Sequence, residues 1–270
     1  MILYVYRWKN EYLPLLEHVK EIAVPYLQIL QNPRFFCEIR NKGVGVYGVL
    51  PAVSAGFHDQ LLRELALKEG RLDEMSFFKP IEKSPDFRPR ELSDVMDGIY
   101  IGNQGQWEAA MKLGLPVFGD QSLNVFNSKT AEFWREKGLE RVTFSYELET
   151  EQLRELSFKG EGEILLYGRV PVMVSEYCPV AGERGGSQKD CGACRDGGPW
   201  YLRSKKGDVY PVLLDRNVCR STLLSSLVLD RRKERAKAGK KGNQSLGNIR
   251  WRLCVSDESP GQIERILTSL

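Results

Sequence analysis

The sequence predicts an α/β protein with a partial (β/α) TIM-like barrel followed by a cysteine-rich C-terminal segment. Short apolar runs alternate with amphipathic stretches along residues 1–174, which is typical of parallel strands covered on both faces. After residue 174, Gly, Cys and charged residues become concentrated, which marks residues 175–270 as a second unit. The 270 residues are 42% hydrophobic, so the chain can bury a full-sized core.

The barrel part is predicted to contain about six strands, separated by helical stretches. One long helical stretch over 11–30 is broken by Pro14 and Pro25. Because a closed barrel of this type needs eight strands, we expect a missing N-terminal part or a partner chain to complete it. The predicted strands are residues 2–8, 43–51, 98–103, 116–122, 141–147 and 163–174, and a loop is predicted over 79–91.

The C-terminal segment is predicted to begin with a glycine-rich loop and a β-hairpin over 200–214, which turns at Lys-Gly-Asp. A short apolar helix is expected over 221–229, and a final amphipathic helix from Pro260. Asp257 and Glu258 lie in a helix-entry pattern before that last helix, so we interpret them as capping residues.

Composition excludes several classes of protein. No apolar run approaches the roughly 18 residues that cross a membrane. The first residues lack the basic leader of a signal peptide, which predicts a cytoplasmic protein without structural disulfides. The net charge of +3 does not by itself indicate a nucleic-acid-binding protein.

The charge is unevenly distributed along the chain, because residues 231–252 contain nine Lys or Arg and one acidic residue, Glu234. Two interpretations remain open. The segment is either a solvated helix end and loop, or a surface that follows the phosphates of RNA and gains from counterion release. Trp251 would then be available to stack on a base.

Four of the six cysteines follow the pattern Cys178-x12-Cys191-x2-Cys194-x24-Cys219. A C-x2-C pair presents two thiolates to one metal ion, and Gly192 permits the tight turn between them. Four thiolates suit either zinc or a [4Fe–4S] cluster, and the spacing does not decide between them. A redox C-x2-C pair and unrelated cysteines are the other readings, while Cys37 and Cys254 are expected to be ordinary buried cysteines. Nearby cations, which favour an anionic cluster slightly, are Arg184, Lys189, Arg195, Arg216 and Arg220.

Strand ends in the barrel part supply the other candidate residues, because barrel sites lie at the carboxyl ends of strands. Asn124, Asn127 and Ser145 are predicted to bind a planar polar substrate. Arg169 has the geometry to clamp a carboxylate or phosphate. Glu147 and Glu176 are candidate acids or bases, provided that burial raises the pKa of the carboxyl group. A structural hydrogen bond at a loop is the alternative role for each of these residues.

Proteolysis is poorly supported by the residues present. The two histidines, His18 and His58, lie in no HExxH motif, and no Gly-x-Ser-x-Gly elbow exists. Asp59 follows His58, but neighbours on a helix point to different sides and do not form a base–acid pair. We therefore expect His58 to be a polar residue at a helix start.

Several motifs in fixed order resemble the collagenase-like peptidase family U32, in its C-terminal half. They are "PVFGDQSLNVFNS", "YGRVPVMVSEYCPV", "CGAC", "YLRSKKGDVYPVLLDRNVCRS" and "RLCVSDESPGQIERIL". The family's usual barrel opening, an early Ala-Pro-Ala-Gly stretch, is absent from this chain.

The resemblance implies a (β/α) barrel and a [4Fe–4S] cluster on Cys178, Cys191, Cys194 and Cys219, with zinc as the second choice. It implies oxygen-independent hydroxylation of a base in tRNA or rRNA, with prephenate as a small-molecule oxygen donor. The alternatives are a peptidase, as the family name says, and a non-catalytic metal-binding subunit that completes the barrel of another chain.

Overall fold

The computed structural model describes residues 1–75, 89–184, 191–192, 194, 198–235 and 248–270. Its main body is a closed barrel of eight parallel strands ringed by helices. The predicted TIM-like barrel is therefore confirmed. In order around the barrel, its strands are β1 (Ile2–Val5), β2 (Glu21–Pro25), β3 (Gly45–Val49), β4 (Gly98–Ile101), β5 (Val117–Gly119), β6 (Arg141–Thr143), β7 (Glu161–Gly168) and β13 (Asn248–Val255).

The barrel closes with strands of this chain alone, so the expectation of a partial barrel with about six strands is wrong. The last strand, β13, lies between β7 and β1 and is parallel to both. In register, Leu3 of β1 lies opposite Leu253 of β13 and Ile22 of β2. The two strands missed in the sequence are β2 and β13, and the barrel therefore includes residues beyond 174.

Helices and 3-10 turns cover the outside of the barrel. Their apolar residues and the outward-facing residues of the strands form the larger hydrophobic core, and a smaller cluster fills the lumen. The α-helices are α1 (Tyr26–Gln31), α2 (Pro33–Asn41), α3 (Phe57–Leu67), α4 (Trp107–Ala110), α5 (Ser128–Glu136), α6 (Thr150–Glu155), α7 (Pro179–Glu183) and α8 (Pro260–Thr268), and a nine-residue 3-10 helix spans Asn10–His18.

A second, antiparallel sheet of four strands, which we call the small sheet, lies at the carboxyl end of the barrel. It begins two residues after β7, and its strand order is β8-β11-β10-β9. The strands are β8 (Pro171–Ser175), β9 (Trp200–Arg203), β10 (Val209–Asp215) and β11 (Arg220–Leu224). The predicted hairpin is present as β9 and β10.

The predicted apolar helix over 221–229 is wrong, because this segment contains β11 and the short strand β12 (Leu229–Asp230), which pairs with β7. The final helix is confirmed as α8, and Ser259 caps it by accepting a hydrogen bond from the backbone N–H of Gln262. Most of the loop predicted over 79–91 lies outside the described residues. In the part of the chain that the structure describes, no helix is both long and apolar enough to cross a membrane.

Candidate functional site

The lumen of the barrel holds a buried network of charged side chains. Arg252 and Glu163 are both 0% exposed, and the guanidinium donates to one carboxylate oxygen over 2.6 and 2.8 Å. Arg252 also bonds Asp120, and Arg141 donates to the other oxygen of Glu163 over 3.0 Å. Tyr100 donates its hydroxyl to that same oxygen. Burial alone would raise the pKa of Glu163, but the two arginines outweigh burial and lower it, so the carboxylate stays charged.

The network reaches the carboxyl end of the barrel, where TIM-like barrels place their sites. There Tyr4 donates to Asp120 over 3.2 Å, and the ring of Tyr6 packs edge-on against that of Tyr4. Tyr6 donates to the carbonyl of Arg169 and accepts a long hydrogen bond of 3.4 Å from the Gln121 amide. The Oε1 atom of Gln121 is buried and has no hydrogen-bond partner among the described residues. It is an acceptor with an open position, as a ligand-binding atom requires.

Sequence reasoning missed Tyr6, Asp120 and Gln121. The signal was available for two of them, because Asp120 and Gln121 follow β5 directly in "FGDQS". The residues predicted instead, Asn124 and Asn127, follow this segment.

Those asparagines lie on the surface and have local structural contacts. Asn127 is the N-cap of α5, and its Oδ1 accepts from the backbone N–H of Thr130 over 2.9 Å. Asn124 is exposed and adopts left-handed backbone angles, with φ of 50°. Ser145, in contrast, is buried at the end of β6, and its hydroxyl accepts from the backbone N–H of Glu147. The side chain of Glu147 is exposed.

Arg169 lies in the connection between β7 and the small sheet, and Glu176 directly follows β8. The guanidinium of Arg169 donates to the carbonyls of Ser225 and Ser226 and lies 3.4 Å from a carboxylate oxygen of Asp257. It therefore holds the barrel to the small sheet. Asp257 was predicted to cap α8, but it pairs with Arg169, and the N-cap of α8 is Ser259.

The side chain of Glu176 is 84% exposed and accepts from Arg220 over 3.2 Å. The burial that an acid–base role for Glu176 required is not present.

The four predicted metal ligands lie around the small sheet. Cys178 is buried at the N-cap of α7, and Cys219 lies in the turn between β10 and β11. Cys191 and Cys194 are half-buried. All six cysteines fall within the described residues, and none of them forms a disulfide.

The four thiols lie near enough to one another to interact electrostatically. Burial raises the pKa of Cys194, and the nearby thiolates of Cys178, Cys191 and Cys219 raise it further. Across the described ranges, no three His, Cys, Asp or Glu side chains are close enough to hold a metal ion. The four sulfurs are thus gathered at one end of the small sheet without being closed into a tetrahedral set.

The surroundings of these thiols fit an anionic metal–thiolate group. Gly192 has φ of 70°, the left-handed angle that the notch of a C-x2-C pair demands. Arg184 donates to the carbonyl of Cys191 over 3.3 Å, and the charge of Arg216 acts on Cys194. Arg216 lowers the pKa of Cys194, although burial and the other three cysteines outweigh it.

His58 does have an orienting carboxylate, but it is not the adjacent Asp59. The imidazole is 3% exposed and bonds Asp215 of β10 through Nε2 and the hydroxyl of Tyr26 through Nδ1, over 2.9 Å. Asp59 pairs with Arg63 one turn further along α3. The Asp215 contact joins residues 157 positions apart, so neighbouring sequence could not reveal it.

Several cationic side chains of the basic segment, residues 231–252, make contacts within the fold where the structure describes them. Arg250 and Arg252 belong to β13 and pair with buried or half-buried carboxylates, and Trp251 packs partly buried against the core. Arg231 donates to the carbonyls of Tyr146 and Leu148. The remaining stretch, 236–247, lies outside the described residues, and the RNA contact expected over 231–252 stays a prediction.

Comparison with known proteins shows a likeness over part of the chain. The sequence model of peptidase family U32 matches residues 91–208. Over these residues the chain is similar to peptidase family U32. The uncharacterized protease MJ0090 of Methanocaldococcus jannaschii is 30% identical over 123 residues, which cover 43% of this chain and 29% of that protein. A solved structure, that of the U32 peptidase Mk0906, is similar over 96% of this chain and 94% of the other, with 14% identity and a TM-score of 0.49.

The U32 match contains most of the candidate site. It runs from before β4 to the turn after β9, and includes Gln121, Arg169 and the first three cysteines of the group. Cys219 and the barrel strand β13 lie beyond the matched residues.

Proposed function

We propose that this chain is an iron–sulfur enzyme of the U32 type that hydroxylates a base in tRNA or rRNA without molecular oxygen. The observation that carries the proposal is the gathering of Cys178, Cys191, Cys194 and Cys219 beside the carboxyl end of the barrel. These four residues would hold a [4Fe–4S] cluster, which supplies one-electron chemistry when bound.

The mouth of the barrel is the proposed substrate site. The unpartnered Oε1 of Gln121 would accept a hydrogen bond from an N–H or O–H of the substrate. Tyr6 would hold the Gln121 amide in place through its hydroxyl, and Asp120, fixed by Tyr4 and Arg252, would keep a negative charge beneath the site. A small oxygen donor such as prephenate would enter the same mouth.

RNA would be held by residues 236–247 together with the cationic side chains beside them. This stretch contains Lys237, Lys240 and Lys241, and electrostatic attraction to phosphates does not require a particular sequence. Binding to RNA should therefore weaken steeply as the salt concentration rises.

Peptidase activity is the second candidate, because the family and the curated relative carry that name. The His58–Asp215 pair has the form of a base with its orienting acid. The group on the other side of the imidazole is the hydroxyl of Tyr26. Burial raises the pKa of this hydroxyl, which makes Tyr26 a poor nucleophile. Both ring nitrogens of His58 are already bonded, to Asp215 and to Tyr26, so neither is open to take a proton from a nucleophile.

One experiment separates the two candidates. The chain is purified and reconstituted without oxygen, its iron is measured, and its products are assayed with total RNA and with gelatin. About four iron atoms per chain and new hydroxylated nucleosides by mass spectrometry would support the proposal. A chain that cleaves gelatin and retains no iron would refute it.

A further inference from the structure

The turn that carries Cys219 is held against the barrel by a small set of contacts with the loop after β3. We call residues 215–220 the Cys219 turn and residues 51–56 the β3–α3 loop. His58, in the first turn of α3, bonds Asp215, and Arg220 donates to the carbonyl of Val53 in that loop over 2.6 Å. Between these two contacts, Gly56 faces Val218 so closely that a Cβ at Gly56 would lie 3.6 Å from it.

Asp215 uses its two carboxylate oxygens for two different purposes. Oδ2 binds the imidazole of His58, while Oδ1 accepts from the backbone N–H of Asn217 over 3.0 Å and from its side-chain amide over 3.3 Å. The first contact fixes the turn to the barrel, and the second shapes the turn itself. One carboxylate therefore links the position of His58 to the conformation of the residues that precede Cys219.

The conformation of Cys219 itself needs such support. Its φ of 53° lies in the left-handed region, where the Cβ of a non-glycine residue crowds the backbone. Non-glycine residues remain in this region only where the surrounding structure holds them there.

The histidine is in turn fixed within the barrel. An ionised Asp215 carboxylate can only accept, so Nε2 of His58 carries the hydrogen that points to it, while Nδ1 bonds the hydroxyl of Tyr26, which is 1% exposed. The ring of Phe57 packs edge-on against the imidazole.

We propose that His58 is a positioning residue for Cys219: through Asp215 it holds the Cys219 turn beside the other three cysteines of the group. This inference rests on the proposed function, since it assigns a purpose to a contact beside the cysteine group. Residues that orient metal ligands from outside the coordination sphere typically change metal affinity tenfold to a hundredfold when they are replaced.

The test compares four variants of the full-length chain with the wild type. His58→Leu removes the contact, and Asp215→Ala removes it from the partly exposed hairpin side, where folding is less at risk. His58→Gln keeps an N–H group that can reach Asp215. His18→Leu is the matched control, because His18 is partly exposed and its ion-pair distance to Glu264 is long, at 3.9 Å.

Two measurements are made. In the reconstituted chain, the rate of iron loss to a chelator should rise about tenfold or more in His58→Leu and Asp215→Ala, and should stay near the wild-type rate in His58→Gln and His18→Leu. In the metal-free chain, hydrogen exchange at the backbone amide of Asn217 should accelerate in the first two variants only.

Wild-type exchange at Asn217 in His58→Leu, which keeps the Asp215 acceptor of that amide, would overturn the inference, whatever happens to iron. Wild-type iron retention in both His58→Leu and Asp215→Ala would overturn it as well. A wild-type chain that takes up no iron would refute the proposed function instead, and the exchange measurement on the metal-free chain would still decide whether His58 fixes the Cys219 turn.

Discussion

Arg252 and Glu163 form an ion pair in the centre of the barrel, and neither side chain is exposed to solvent. The pair joins β13 to β7, the two strands whose contact closes the barrel on one side. Arg252 also lies over the rings of Tyr4 and Tyr100, at 4.5 and 4.9 Å from their centroids. One charged side chain thus connects four strands of the lumen, from β13, β7, β1 and β4.

Glu163→Gln is expected to lower the free energy of unfolding by about 3 kcal/mol or more, because it leaves two buried guanidinium groups short of a negative charge. Urea unfolding followed by circular dichroism measures this loss. Glu38→Gln is the matched control: Glu38 pairs with Arg34 on the surface of α2, and its loss should cost about 0.5 kcal/mol or less. Equal losses in the two variants would contradict a structural role for the lumen network.

The stabilisation from Glu163 should depend on pH in a defined direction. Burial raises the pKa of Glu163 while Arg252 and Arg141 lower it, and the net pKa in the folded chain is below the usual value. Such a carboxylate stabilises the fold fully above the pKa of the unfolded chain, about 4.3, and the stabilisation disappears as the pH falls through the lower folded value.

The free-energy difference between the wild type and Glu163→Gln should therefore be constant from neutral pH to about pH 5 and shrink below it. Urea unfolding of both proteins at several pH values measures this difference. A difference that grows on acidification would show that Glu163 is protonated in the folded chain.

Asn127→Ala is expected to destabilise the chain by about 1 kcal/mol, because it removes the N-cap of α5. Asn127→Asp keeps an oxygen acceptor and should unfold at nearly the wild-type urea concentration. If Asn127 also binds substrate, Asn127→Asp should weaken RNA or nucleoside binding without changing stability.

Asn124→Gly should be neutral or slightly stabilising, since glycine adopts the left-handed angles of that position without strain.

The order of strands and helices between residues 43 and 168 was predictable because each strand there is a short apolar run between turn residues. β13 was not, because its alternate residues Arg250 and Arg252 face the lumen and made the strand look like part of a basic surface. Their partners, Glu21 and Glu163, come from strands far away in sequence. Only the folded barrel brings these charges together.

β2 was missed for a different reason. "EIAVP" lies between two segments with helical apolar spacing, and a strand of five residues has no periodicity that distinguishes it from a helix. Long-range contacts limited the prediction of the site as well. The cysteine spacing is a local pattern and was recognised in the sequence, whereas the Gln121–Tyr6 hydrogen bond joins residues 115 positions apart.

Replacement of each cysteine of the group should remove bound iron, and this is the most direct test of the proposed centre. Cys178→Ser, Cys191→Ser, Cys194→Ser and Cys219→Ser are each expected to hold less than about half of the wild-type iron after anaerobic reconstitution, because a hydroxyl is a poorer ligand for iron in a cluster than a thiolate. Cys37→Ser is the matched control, since Cys37 lies half-buried in α2, well away in sequence from the cysteine group. Iron per chain is measured by elemental analysis, and circular dichroism checks that each variant is folded. If Cys219→Ser kept as much iron as Cys37→Ser, the fourth ligand would have to be another residue, and the role assigned to the Cys219 turn would fail with it.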